Sequence, residues 1–195
     1  MLKLRRKNYY TQSPLYPTFR KRISDRIDGI IQHQVTPWAF LRTDQGVHVR
    51  HFDQREISIR GVEFEGSPSI VFWSGYIEPF LEELCCSELG AAVEMSRARG
   101  LDLRIVLRDL KGLLSGGFSR VYERMALIDQ RLRGKGFPNR VTRRRVDSNV
   151  WKMDHFLEEF IVAELAMFKP KSRIELWYER NQFWISLFGI FRHAV

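Results

Sequence analysis

Residues 38–64 read WAFLRTDQGVHVRHFDQREISIRGVEF, and how this stretch folds decides the class of the whole chain. Asp44-Gln45-Gly46 is turn chemistry between two apolar pieces, Trp38–Leu41 and Val47–Phe52. Asp53-Gln54 offers a second tight turn into Arg55–Phe64, where Ile57 and Ile59 alternate with polar residues. Gly61 then shifts the phase so that Val62 and Phe64 carry the apolar side, as at a β-bulge. The pattern predicts a short antiparallel β-meander over about 38–64, and with it an α+β fold.

Outward from the meander, residues 1–18 read as a basic N-terminal arm, and 19–195 as a single globular domain. Phe19–Gln34 has an apolar face of Phe19, Ile23, Ile27 and Ile30 at helical spacing. Gly66-Ser67-Pro68 reads as a helix start, and the helix runs to about Arg99 with a kink expected at Pro79. Gly100 suits a left-handed cap. Leu101–Leu114 fits both a strand and a helix capped by Asp102; the apolar spacing beyond the alternation favours the helix. Gly116-Gly117 reads as a break before a helix over Ser119–Arg133, whose stripe is Val121, Met125, Ile128 and Leu132. Gly134–Arg145 reads as a basic loop, and Asp147 or Ser148 as the cap of a helix to Phe168. Ile174–Phe191 reads as a C-terminal hairpin that joins the meander, the whole sheet packing on about four helices.

The charge pattern carries the functional reading. Residues 97–145 hold fourteen Lys or Arg against four acids, whereas 61–96 hold seven acids and no Lys or Arg. With a net charge of +9, the chain is expected to attract polyanions. The acids Glu82, Glu83, Glu88 and Glu94 are the internal groups placed to neutralise the basic segment. Arg120, Arg124 and Arg131 fall in one stripe of the Ser119–Arg133 helix, and the loop beyond adds Arg133, Lys135, Arg140, Arg143, Arg144 and Arg145. Guanidinium forks on a helix, followed by an adaptable basic loop, suit a phosphate backbone. These nine residues are the expected nucleic-acid site. Charge alone does not distinguish DNA from RNA. Arg104, Arg108 and Lys111 make a second basic stripe, and the Ser115-Gly116-Gly117 joint gives the two helices the order of a helix-turn-helix.

Other chemistry is thinly supported. Cys85 and Cys86 are adjacent, which disfavours a disulfide between them and fits a reducing, cytoplasmic compartment. Met1–Lys7 has no apolar stretch after it, and the nine-residue apolar run Phe183–Phe191 is too short to span a bilayer, so no membrane association is expected. His155 and Glu159 are one turn apart, but without a matching ligand pair elsewhere no metal or other cofactor is expected. The five tryptophans sit mostly in apolar-periodic segments and read as core. The leading expectation is a non-enzymatic nucleic-acid-binding protein. One alternative is an interaction subunit that meets an acidic protein partner or self-associates as an oligomer. The other is a small nuclease or toxin-type enzyme using His33, His48 or His155.

Overall fold

In the computed structural model, residues 12–40, 47–59, 72–136, 143–168 and Trp177 are described, with the backbone path alone for Val47, Val49, Ile57, Ile59 and residues 143–149. Four α-helices dominate them: α1 (Tyr16–Ile30), α2 (Glu78–Arg99), α3 (Leu103–Gly134) and α4 (Arg143–Met167). The strands β1 (Val47–Arg50) and β2 (Glu56–Ile59) form a two-stranded antiparallel ribbon, Val47 opposite Ile59 and Arg50 opposite Glu56. This overturns the α+β expectation, because among the described residues the core is built by helices and the architecture is all-α. The clearest departure from the meander is at residues 38–40, the described part of the expected strand Trp38–Leu41: Thr36–Phe40 is a 3-10 turn, with Trp38 and Ala39 buried in the helical core. A short apolar run bounded by turn residues looks the same whether its side chains enter a sheet or a helical core. The bulge at Gly61 and the hairpin over 174–191 lie outside the described residues, apart from Trp177.

α3 is the axis. Its buried positions, from Leu103 through Val106, Leu110, Leu114, Phe118, Val121, Met125 and Ile128 to Leu132, recur every three or four residues without interruption. Asp102 caps the N-terminus, its carboxylate accepting from the Arg104 N–H at 3.0 Å. The helix passes straight through Gly116-Gly117, so neither the expected break nor a helix-turn-helix exists. Gly117 is buried against α1: a Cβ there would lie 3.0 Å from Ile27 Cγ1. The missing side chain sets how closely the two helices approach, and the packing gained outweighs the helix-propensity cost of about 1 kcal/mol per glycine.

Cross-helix bonds give the directions. Ser13 N–H donates to Asp109, Arg120 pairs with Asp28, Arg124 reaches Thr36 and Lys135 reaches Ala39. The pairs climb together, so α1 runs parallel to α3. α2 returns antiparallel through Gly100, which has φ 62° and passes the chain on with Leu101 N–H bonded to Ser96 O at 2.9 Å. α4 is also antiparallel to α3, since Lys111 pairs with Glu158 and Ser115 with Asp154. Leu15, at the end of the expected arm, is fully buried, and Pro17 sits in the first turn of α1.

Pro79 does not kink a continuous α-helix. It sits in the first turn of α2, directly after a π-helical turn, Trp73–Ile77. Proline has no N–H to offer the carbonyl four residues back. That carbonyl, of Gly75, accepts instead from the Phe52 N–H at 2.8 Å and so holds the β-ribbon. His51 lies flat against Gly75, where a Cβ would meet its ring at 2.5 Å. Trp38, Phe72, Tyr76 and Phe52 continue the junction as a chain of aromatic contacts 4.8–6.0 Å apart.

Candidate nucleic-acid interface

Two acids of α2, Glu83 and Glu88, are spent on α1. Arg22 donates its Nε to both Glu88 oxygens at 2.8 Å, and Arg26 pairs with Glu83 and reaches Ser87 at 2.9 Å. Glu88 is only 2 % exposed, so this pair welds α1 to α2. Glu94 takes Arg97 on its own helix. None of these pairs reaches the stripe of α3.

The expected Arg stripe divides. Arg120 is bound by Asp28 of α1, and its hydrogen bond is the main reason the Asp28 carboxyl lies below the usual carboxylate range. Arg124 is half-buried, with Nη2 3.4 Å from the Thr36 hydroxyl and Nε buried without a partner. Arg120 and Arg124 therefore face α1 and the turn beyond it. Arg131 and Arg133 are exposed and make no ion pair or side-chain hydrogen bond with a described residue. Lys135 donates to Ala39 O at 2.9 Å. Arg140 lies outside the described residues. Arg143, Arg144 and Arg145 open α4 instead of ending a loop, because that helix begins four residues before the expected cap at Asp147. In the second stripe, Lys111 holds Glu158 and lowers its carboxyl, and Arg108 lies against Asp109.

The geometry thus gathers cations at one end of the bundle. α3 and α4 pack antiparallel, so the end of α3 and the start of α4 fall toward the same end of the bundle. Residues 131–145, which join them, contain seven Lys or Arg and no acid. The macrodipole adds to this at α4, whose N-terminus is its positive end and whose first turn carries no acid.

The histidines sit apart: His33 on the turn after α1, His48 on β1, 3.1 Å from the Ser58 hydroxyl, and His155 on α4, 3.3 Å from Glu159. Among the described residues, no three His, Cys, Asp or Glu side chains gather in a metal-binding arrangement. No described helix is long and apolar enough to cross a membrane. Cys85 and Cys86 are free thiols; Cys85 is buried, which pushes its pKa up to about 12, and Cys86 is exposed.

Two aromatic residues depart from the sequence reading. Trp151, expected in the core, is 65 % exposed on α4 and stacks on His155 at 5.3 Å. Phe40, expected in a strand, is 75 % exposed at the end of the 3-10 turn. Its signal is visible only in hindsight: it follows two residues whose burial needs the turn to be known. Searches of family models, curated proteins and solved structures find no match to this chain.

Proposed function

We propose that the protein binds nucleic acid through its phosphate backbone, at the end of the bundle where α3 meets α4, without catalysing a reaction on it. One observation carries this reading: Glu83 and Glu88, two of the acids that could have quenched the cationic segment, are engaged with α1, while Arg131 and Arg133 remain exposed. Arg143–Arg145 strengthen it. Three cations at the positive end of a helix are each unfavourable by roughly 0.3–1 kcal/mol, and a bound phosphate relieves that repulsion. The interface is narrower than the nine-residue expectation, because Arg120 and Arg124 are committed to α1 and Thr36. Two free cysteines suit a cytoplasmic setting.

The test is binding of a labelled oligonucleotide by fluorescence anisotropy across a salt series. About six phosphate contacts give a log–log slope near −5 on duplex DNA. Absence of binding at low salt removes the reading. The alternative, a protein-interaction subunit, is favoured by one face of α4, where Trp151 and Val162 are exposed. Light scattering of the purified protein tests its self-associating form: a monomer at every concentration removes that form.

A further inference from the structure

We infer that this interface takes single-stranded nucleic acid, with Phe40 as the platform on which one base stacks and Arg131 as the phosphate contact beside it. The inference rests on the phosphate-binding reading above and adds a substrate class to it.

The juxtaposition comes from α3. Arg124, Arg131 and Lys135 fall at i, i+7 and i+11, which is one face of a helix. The two outer members of that face touch the 3-10 turn, Arg124 at Thr36 and Lys135 at Ala39 O. Arg131 therefore lies between two points of contact with the turn that ends at Phe40. The turn itself is pinned. The Thr36 hydroxyl donates to Ile31 O at 2.7 Å, Trp38 is buried and stacked on Phe72 at 4.8 Å, and the Ala39 carbonyl is held by Lys135. A large apolar ring left in water on so well-anchored a segment is preorganised for a flat partner, at little further cost in ordering.

Duplex bases hide their faces in the stack, so a ring of this kind finds a base face only where the strand is single. Stacking on an aromatic side chain tolerates any base, and a neighbouring arginine fixes the backbone. A fatty or peptide ligand would use the ring but not the cations. A duplex would use the cations but not the ring.

Labelled single-stranded and duplex oligonucleotides of equal length, titrated at one salt concentration, give the readout. The wild-type protein is expected to bind the single strand more tightly. Phe40→Ala should weaken single-strand binding about tenfold, the effect of removing one stacked base, and Phe40→Trp should restore it. Because Phe40 is largely exposed, circular dichroism should show Phe40→Ala folded as the wild type. Single-strand affinity unchanged in Phe40→Ala, a preference for duplex, or loss on Trp151→Ala instead overturns the inference while leaving phosphate binding standing. No binding of either nucleic acid at low salt overturns both.

Discussion

Replacing Gly116 and Gly117 by alanine, one at a time, should move stability in opposite directions. Both glycines lie in the middle of α3, so each alanine gains about 0.5–1 kcal/mol of helix propensity. At Gly116 nothing lies within 4 Å of the added Cβ, and the gain is kept. A rise in Tm of about 1–4 °C follows for a chain of this length. At Gly117 the Cβ arrives 3.0 Å from Ile27 Cγ1 and 3.3 Å from its Cδ1, with Ile23 Cγ2 behind at 3.7 Å. Ile27 is fully buried and β-branched, so it has no alternative rotamer to retreat to. Overpacking of this kind costs about 1–3 kcal/mol, which exceeds the propensity gain. Net destabilisation of about 1 kcal/mol and a Tm lowered by about 2–4 °C are expected. Thermal unfolding followed by far-UV circular dichroism reads both. Equal stabilisation by the two alanines would refute the close approach of α1 to α3, and with it the reason the helix runs through a Gly-Gly pair.

Gly75→Ala should displace His51 and free the ribbon, since the new Cβ would meet the imidazole at 2.5 Å; hydrogen exchange at the Phe52 N–H, bonded to Gly75 O, should speed up while α3 stays protected. Arg22→Ala should cost about 3 kcal/mol in urea unfolding, because it strands the buried Glu88 carboxylate, and Arg22→Met with Glu88→Leu should cost clearly less. Arg120→Met should lower Tm at neutral pH but not in acid. The Asp28 carboxyl is held below its unfolded value of 3.8, so its contribution is complete above that pH and is lost as pH falls through the lower folded value. A difference between Arg120→Met and wild type that persists undiminished well below pH 3.8 would contradict this pairing.

The helices were legible where one apolar stripe decides. Phe19, Ile23, Ile27 and Ile30 are buried on α1 as their spacing predicts, and the Gly100 and Asp102 caps fall where expected. What misled was chemistry with two uses. Glycine in a pair reads as a break when weighed only by backbone freedom, yet at Gly117 it serves helix approach, which depends on a residue ninety positions away. Alternating Ile and Ser predict a strand, and β2 forms, but Trp38 and Ala39 needed a helical core to explain their burial. Helical periodicity puts Arg120, Arg124 and Arg131 on one face of α3, but no local pattern tells that α1 claims Arg120 and Thr36 takes Arg124, or that Glu83 and Glu88 are drawn to Arg26 and Arg22. Phe40 was unreadable, because its exposure follows from the packing of its neighbours.

The salt dependence of binding by two double variants tests the cationic end most directly. Arg131 and Arg104 both lie on α3 but about 40 Å apart along its axis. Arg131→Ala with Arg133→Ala should reduce the magnitude of the log–log slope by about two, one for each phosphate that no longer meets an arginine. Arg99→Ala with Arg104→Ala removes the same charge from the opposite end of α3 and should leave the slope near the wild-type value. Equal reduction by both pairs would mean that the protein attracts nucleic acid by net charge alone, with no site at the junction of α3 and α4.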